Sequence, residues 1–123
     1  MKRECLQDMP VEELVARFTA IGLDQDLAIR KDDNAKFTHL FWQMEAVEEE
    51  LKRRKGDERR ALLQLYHHTS TQVRLAAAKA TLAVAPEAAR RTIETIAASR
   101  DYPQAGDAGM TLDCLDRGIF KPT

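Results

Sequence analysis

The chain has 123 residues, 44% hydrophobic and 32% charged, with a net charge of −1. Such a length suits one domain that buries roughly two thirds of its unfolded surface, and the composition excludes a disordered chain. Charge is not segregated, with 12 Lys/Arg against 14 Asp/Glu in residues 1–60 and 7 against 6 beyond, which disfavours a dedicated phosphate-backbone binder.

The first helix is expected to begin near Asp8-Met9-Pro10, with Asp8 as cap and Glu12-Glu13 at the positive end of the dipole. Val11, Leu14, Val15, Phe18 and Ile21 share one face; Gly22 and Asp24-Gln25-Asp26 weaken the pattern beyond them. Arg30-Lys31 then suits a helix end and Asp32-Asp33 a helix start. Phe37, Leu40, Phe41, Met44, Val47 and Leu51 form the next apolar stripe, and Gly56 supplies its stop. On its outer face Glu48, Glu49 and Glu50 each precede Lys52, Arg53 and Arg54 by four residues, a pattern expected of a solvated face. These two helices predict an antiparallel hairpin.

Asp57 is expected to cap a third helix over 57–67, carrying Leu62, Leu63, Leu65 and Tyr66. Thr69-Ser70-Thr71-Gln72 has the spacing of a capping box, and Asp101-Tyr102-Pro103-Gln104 repeats it 32 residues later. Leu62 matches Ile93 and Leu65 matches Ile96 at an offset of 31. Two helix–turn–helix units of that period are the signature of an α-solenoid. The expected pairs are 57–67 with 70–84, and 86–99 with 102–117, with Pro86 just inside its helix. Helix 70–84 is alanine-rich and apolar nearly all round, apart from a narrow stripe of Arg74 and Thr81 flanking Ala78. Such a helix is buried on several sides.

The stretch LLQLYHHTSTQVRLAAAKATLAVAPEAARRTIETIAAS resembles a HEAT repeat. More closely, FWQMEAVEEELK, VRLAAAKATLAVAPEAARR and PQAGDAGMTLDCLDRGIFKP resemble a small bacterial family of HEAT-like helical domains without an assigned function, over residues 8 to 122. The resemblance implies an all-α fold of about six helices: a hairpin over 8–55, repeats over 57–84 and 86–118, and a tail over 119–123. It brings no catalytic residues. HEAT repeats commonly carry an Asp in the turn where this chain has Thr69-Ser70-Thr71.

Several residues invite a functional role. His39, His67 and His68 with Cys5 and Cys114 lack metal-ligand spacing, since adjacent helical histidines point about 100° apart and the cysteines make no CxxC. No metal or cofactor is expected. Lys52-Arg53-Arg54-Lys55 with Arg59-Arg60 places six basic residues in nine, offset by the glutamates before them. Arg74, Lys79, Arg90 and Arg91 would add to a basic surface on an inner curve, and Arg74 has a rival role bridging repeats. Trp42, the single tryptophan, lies about 100° from the Phe41 stripe and is expected to pack, with an exposed anchor as the alternative. Asp107, Asp113 and Asp116 with Thr111 and Cys114 have no base, nucleophile or phosphate loop beside them, so cap and solvent roles are expected. Gly106 and Gly109 are expected to admit a close helix, and Gly118 to cap the last one while Ile119 and Phe120 fold back over it.

The sequence therefore predicts a non-enzymatic protein-interaction module whose candidate surface is Arg74, Lys79, Trp42, Arg53 and Arg54. A nucleic-acid-associated protein is the rival, because HEAT-like folds include DNA-base glycosylases that cradle a duplex. An immunity or antitoxin-like protein is the third possibility. A residual apolar end would predict a homodimer. No apolar signal region follows Lys2-Arg3 and no run nears ~18 apolar residues, so a cytoplasmic protein with reduced thiols is expected, with no membrane partner.

Overall fold

In the computed structural model, which describes residues 5–123, every regular element is helical. Lys2-Arg3 lie outside the described residues. Among those residues there are six helices longer than a single turn, and no strand. The chain divides into two compact units, Met1–Ala61 and Leu62–Thr123.

In the first unit a 3-10 turn, Leu6–Asp8, leads into α1 (Val11–Arg30) and α2 (Asn34–Arg53). Asp8 does not cap α1. It closes its own short turn, donating its N–H to the Cys5 carbonyl, and Pro10 occupies the cap position instead. The helix continues through Gly22 because its buried face does, with Gln25 and Ala28 following Leu14, Phe18 and Ile21. Asp33 caps α2 by accepting from the Lys36 N–H at 3.1 Å. Leu40, Met44, Val47 and Leu51 then bury against α1, while Phe37 is half-buried and Phe41 exposed. Two left-handed residues, Gly56 at φ 81° and Asp57 at φ 54°, turn the chain out of α2.

Residues Glu58–His67 form a ten-residue 3-10 helix rather than the expected α-helix. Runs beyond 3–4 residues are uncommon for this geometry. Its buried positions explain it: Arg59, Leu62 and Leu65 recur every three residues, the spacing at which 3-10 side chains eclipse. The division between units falls within this segment.

The second unit holds α3 (Thr71–Ala80), α4 (Pro86–Ala98) and α5 (Gln104–Asp116). Ser70, not Thr69, caps α3, its Oγ accepting from the Val73 N–H at 3.3 Å. The helix ends at Ala80 rather than reaching residue 84; residues 81–84 form a turn in which the Val84 and Ala85 N–H groups both reach the Thr81 carbonyl, and Ala85, before Pro86, is held out of the α region at φ −145°. Val73, Leu75, Ala77, Ala78 and Ala80 are buried. The stripe of Arg74, Ala78 and Thr81 does not face solvent: Ala78 and Thr81 are fully enclosed, and the Thr81 hydroxyl donates to the Ala77 carbonyl at 2.8 Å. Solvent is reached chiefly at Lys79. The core here comprises Leu75, Ala78, Leu82, Ala89, Ile93, Ile96 and Ala108, with Tyr66, Leu112 and Leu115 packed against it.

The two glutamines of the expected capping boxes have a different role. Gln72 and Gln104, 32 residues apart, are both buried, and the Gln104 side-chain amide donates to Gln72 Oε1 at 3.1 Å. Asp101 is not the α5 cap either; its carboxylate accepts from the Thr71 hydroxyl, and Pro103 occupies the cap position without a side-chain bond. The equivalent glutamines thus bind each other rather than their own helix ends. Gly106 and Gly109 are exposed and admit no neighbouring helix; a methyl group at Gly109 would meet nothing within 4 Å. Gly118, at φ 71°, ends α5 in a Schellman motif, in which Gly118 N–H reaches the Leu115 carbonyl and Ile119 N–H the Cys114 carbonyl. Ile119 and Phe120 remain exposed instead of covering α5.

Because Ala77 is completely buried in α3, Ala77→Leu is expected to overpack this unit and cost about 1–3 kcal/mol. Urea denaturation checks it, and an unchanged midpoint would contradict the packing described.

Candidate interaction surfaces

One carboxylate of the expected ladder of solvated ion pairs on α2 is buried. Glu50, 5% exposed, accepts from Arg53 at 2.8 Å and from Arg54 at 2.9 Å. These hydrogen bonds hold its carboxyl below the usual glutamate range. Arg54 also donates to the carbonyls of Leu6 (3.1 Å) and Met9 (2.6 Å), tying the first 3-10 turn to the end of α2. Arg54 is therefore a clasp, and only the Arg53 side chain is largely exposed. Further along the basic run, Arg59 is buried and makes a forked pair with Asp57 at 2.9 and 2.6 Å. The bidentate pairing holds the Asp57 carboxyl low. Within residues 52–60, Arg54 and Arg59 are thus drawn inward, while Arg53, Lys55 and Arg60 are exposed.

Glu48 behaves in the opposite way. Burial, reinforced by Glu45, pushes its carboxyl up to about 7. Among the described residues, no group of three His, Cys, Asp or Glu is placed to hold a metal. His39 pairs with Gln43 at 3.1 Å, and His68 Nδ1 accepts from the Ser70 N–H at 2.9 Å. Cys5 and Cys114 are free thiols.

Trp42 does not pack into the hairpin. It is 63% exposed and stands edge-on to Phe41, itself 44% exposed, with ring centroids 5.1 Å apart. The T-shaped geometry is one of the two arrangements favoured by neighbouring rings. The buried positions of α2 run through Leu40, Met44, Val47 and Leu51, which leaves positions 41 and 42 off that stripe and exposed.

In the second unit the four basic candidates divide into two kinds. Lys79 on α3 meets Asp107 on α5 at 3.1 Å, and Arg90 on α4 makes a two-pronged pair with Asp116 at 2.9 and 3.2 Å while also meeting Glu94. Asp113 pairs with Arg117. The acidic residues of α5 are thus inter-helix and intra-helix ion partners, beyond the cap and solvent roles expected. Arg74 donates to the His68 carbonyl at 2.8 Å, the Thr69 carbonyl at 3.2 Å and the Thr71 hydroxyl at 3.0 Å. It closes the turn that leads into α3, and is linked to the turn before α5 through the Thr71–Asp101 bond. Arg91 has no ion partner among the described residues.

Arg74 and Arg91 meet at a groove of about 300 Å³ between the end of the 3-10 helix, α3 and α4. Tyr66, Ile96 and Ala88 supply its apolar wall, and His67, Thr92 and Thr95 its other polar groups. The Tyr66 hydroxyl meets Thr81 Oγ1 at 2.5 Å, which fixes the ring. Sequence inspection missed this groove, although Ala88, Arg91, Thr92 and Thr95 share one face of α4 at helical spacing. The Gln72–Gln104 pair was equally legible as a repeat offset, but its meaning depends on the packing of α3 against α5.

Fold and surfaces together define an all-helical protein. The chain belongs to the family described as Domain of unknown function (DUF2019), whose pattern it matches over residues 12–116. It is similar to the crystal structure of the protein RPA1889 from Rhodopseudomonas palustris CGA009, at 48% identity and a TM-score of 0.94, over 98% of this chain and 100% of that one. No curated protein matches it. No described helix is long and apolar enough to cross a membrane.

The raised Glu48 carboxyl has a definite sign in stability. Between the ordinary value of 4.5 and about 7 the folded state holds the extra proton, so this group's contribution falls as pH rises through that window. Glu48→Gln is expected to match the wild type near pH 4 and to exceed it in stability at pH 8. Urea midpoints at both pH values test this; equal wild-type and variant midpoints at pH 8 would refute it.

Proposed function

We propose that this chain is a non-enzymatic protein-interaction module of HEAT-like helical-pair type. The observation that carries the proposal is the exposed Phe41–Trp42 pair. An indole left 63% in water beside a half-exposed phenyl ring forgoes burial that either ring gains when a partner covers it. Rigid aromatic rings of this kind are the side chains that dominate measured protein interfaces. Leu23 and Leu27 on α1, 44% and 48% exposed, add apolar surface on the same hairpin. The basic residues that would favour a nucleic-acid surface are largely committed: Arg54 to backbone carbonyls, Arg59 to Asp57, and Lys79 and Arg90 to α5. The functional partner on this account is another protein, and the chain performs no covalent chemistry.

Affinity capture from the native host, run in parallel with wild type and Trp42→Ala, tests the proposal. A specific protein retained by the wild type should bind the variant more weakly by about 2 kcal/mol or more, roughly thirtyfold. Because Trp42 is the single tryptophan, its emission should also shift to the blue when that purified protein is added. A captured protein held equally by the variant, with no shift in emission, would exclude this surface.

A further inference from the structure

The groove of the second unit contains a charge that the fold does not use. Lys79 and Arg90, its basic neighbours in sequence, are ion-paired across to α5. Arg74 has no carboxylate in direct contact, and Asp101 is reached only through the Thr71 hydroxyl. Arg91 is exposed and meets no carboxylate among the described residues. No acidic side chain lines the groove: of the nearby α4 carboxylates, Glu94 is engaged with Arg90 and Glu87 lies outside the lining. Two guanidinium groups therefore share one concavity that Tyr66 and Ile96 also line.

We propose that this groove binds an acidic peptide segment, seating a carboxylate on Arg91 and Arg74 and an adjacent apolar side chain on Tyr66 and Ile96. A guanidinium keeps five N–H donors, so Arg74 can hold its turn carbonyls and still offer charge and a free edge to a ligand. The Thr95 hydroxyl donates to the Arg91 carbonyl, which leaves its oxygen lone pairs free to accept from a peptide N–H. A nucleic-acid backbone fits less well. It presents regularly spaced phosphates that need a row of free cations, and the cations flanking this groove are neutralised. An apolar wall beside one concentrated charge suits alternating acidic and apolar side chains.

The inference shares its class of partner with the proposed function, but it does not depend on the Phe41–Trp42 pair. The test is a titration of isotope-labelled full chain, followed by backbone amide NMR shifts. The probes are a capped peptide of alternating glutamate and leucine, its glutamine counterpart, and a duplex oligonucleotide. The glutamate peptide is expected to shift amides around residues 66–67, 74 and 88–96, more weakly as salt rises. The glutamine peptide should bind at least about tenfold more weakly, and so should the glutamate peptide to Arg91→Gln. Trp42→Ala should bind like the wild type, which separates this site from the aromatic one. The proposal is overturned by the absence of shifts at millimolar peptide, by equal response to the glutamine peptide, or by undiminished binding to Arg91→Gln. Oligonucleotide shifts at the same amides, stronger than those of the peptide, would overturn it in favour of a nucleic-acid surface.

Discussion

The second unit depends on the small side chains of α3. Ala77, Ala78 and Ala80 are buried, and α3 contacts both α4 and α5. Only residues of this size leave room for helices on two sides, because interaxial distance is set by the side chains at the contact. Once α3 is enclosed, its remaining polar groups must find partners inside the protein, since an unpaired buried polar group costs about 1–3 kcal/mol. Gln72 finds Gln104, and Thr81 finds the Ala77 carbonyl and the Tyr66 hydroxyl. Among the described residues, no buried side-chain nitrogen or oxygen lacks a partner.

The same logic positions the surfaces. Thr81 fixes Tyr66, and Tyr66 is a wall of the groove. Arg74 is held by the turn that Ser70 caps, so one guanidinium of the groove is placed by the start of α3. Pairing of Lys79 and Arg90 with α5 then leaves Arg91 as the charge available to a ligand. In the first unit, Glu50 and Arg54 fasten the 3-10 turn to α2. Neither group is spare for a basic face, and the exposed surface of that unit includes the Phe41–Trp42 pair.

Much of the helical architecture was legible because it rests on local signals. Pro86, Asp33, Gly118 and the apolar stripes of α1 and α2 state their roles in short windows. Failures arose where long-range contacts overrode a local pattern. The spacing of Thr69 to Gln72 fits a capping box, yet Gln72 is drawn into the core by its equivalent on α5. The i,i+4 pattern of Glu48 to Lys52 suggests a solvated face, whereas burial raises the Glu48 carboxyl and the Arg53 and Arg54 hydrogen bonds lower that of Glu50. Trp42 reads as a packing residue, and no local pattern reveals which flank of α2 its neighbours leave open. The groove gathers residues from three elements, so sequence spacing exposes only its α4 edge.

The enclosure of α3 is most directly measured by native-state hydrogen exchange. The amides of Leu75 to Ala80 are predicted to be among the slowest in residues 62–123, opening only with unfolding of that unit. Exchange of these amides as fast as those at the exposed end of α5, near Asp116, would contradict that enclosure.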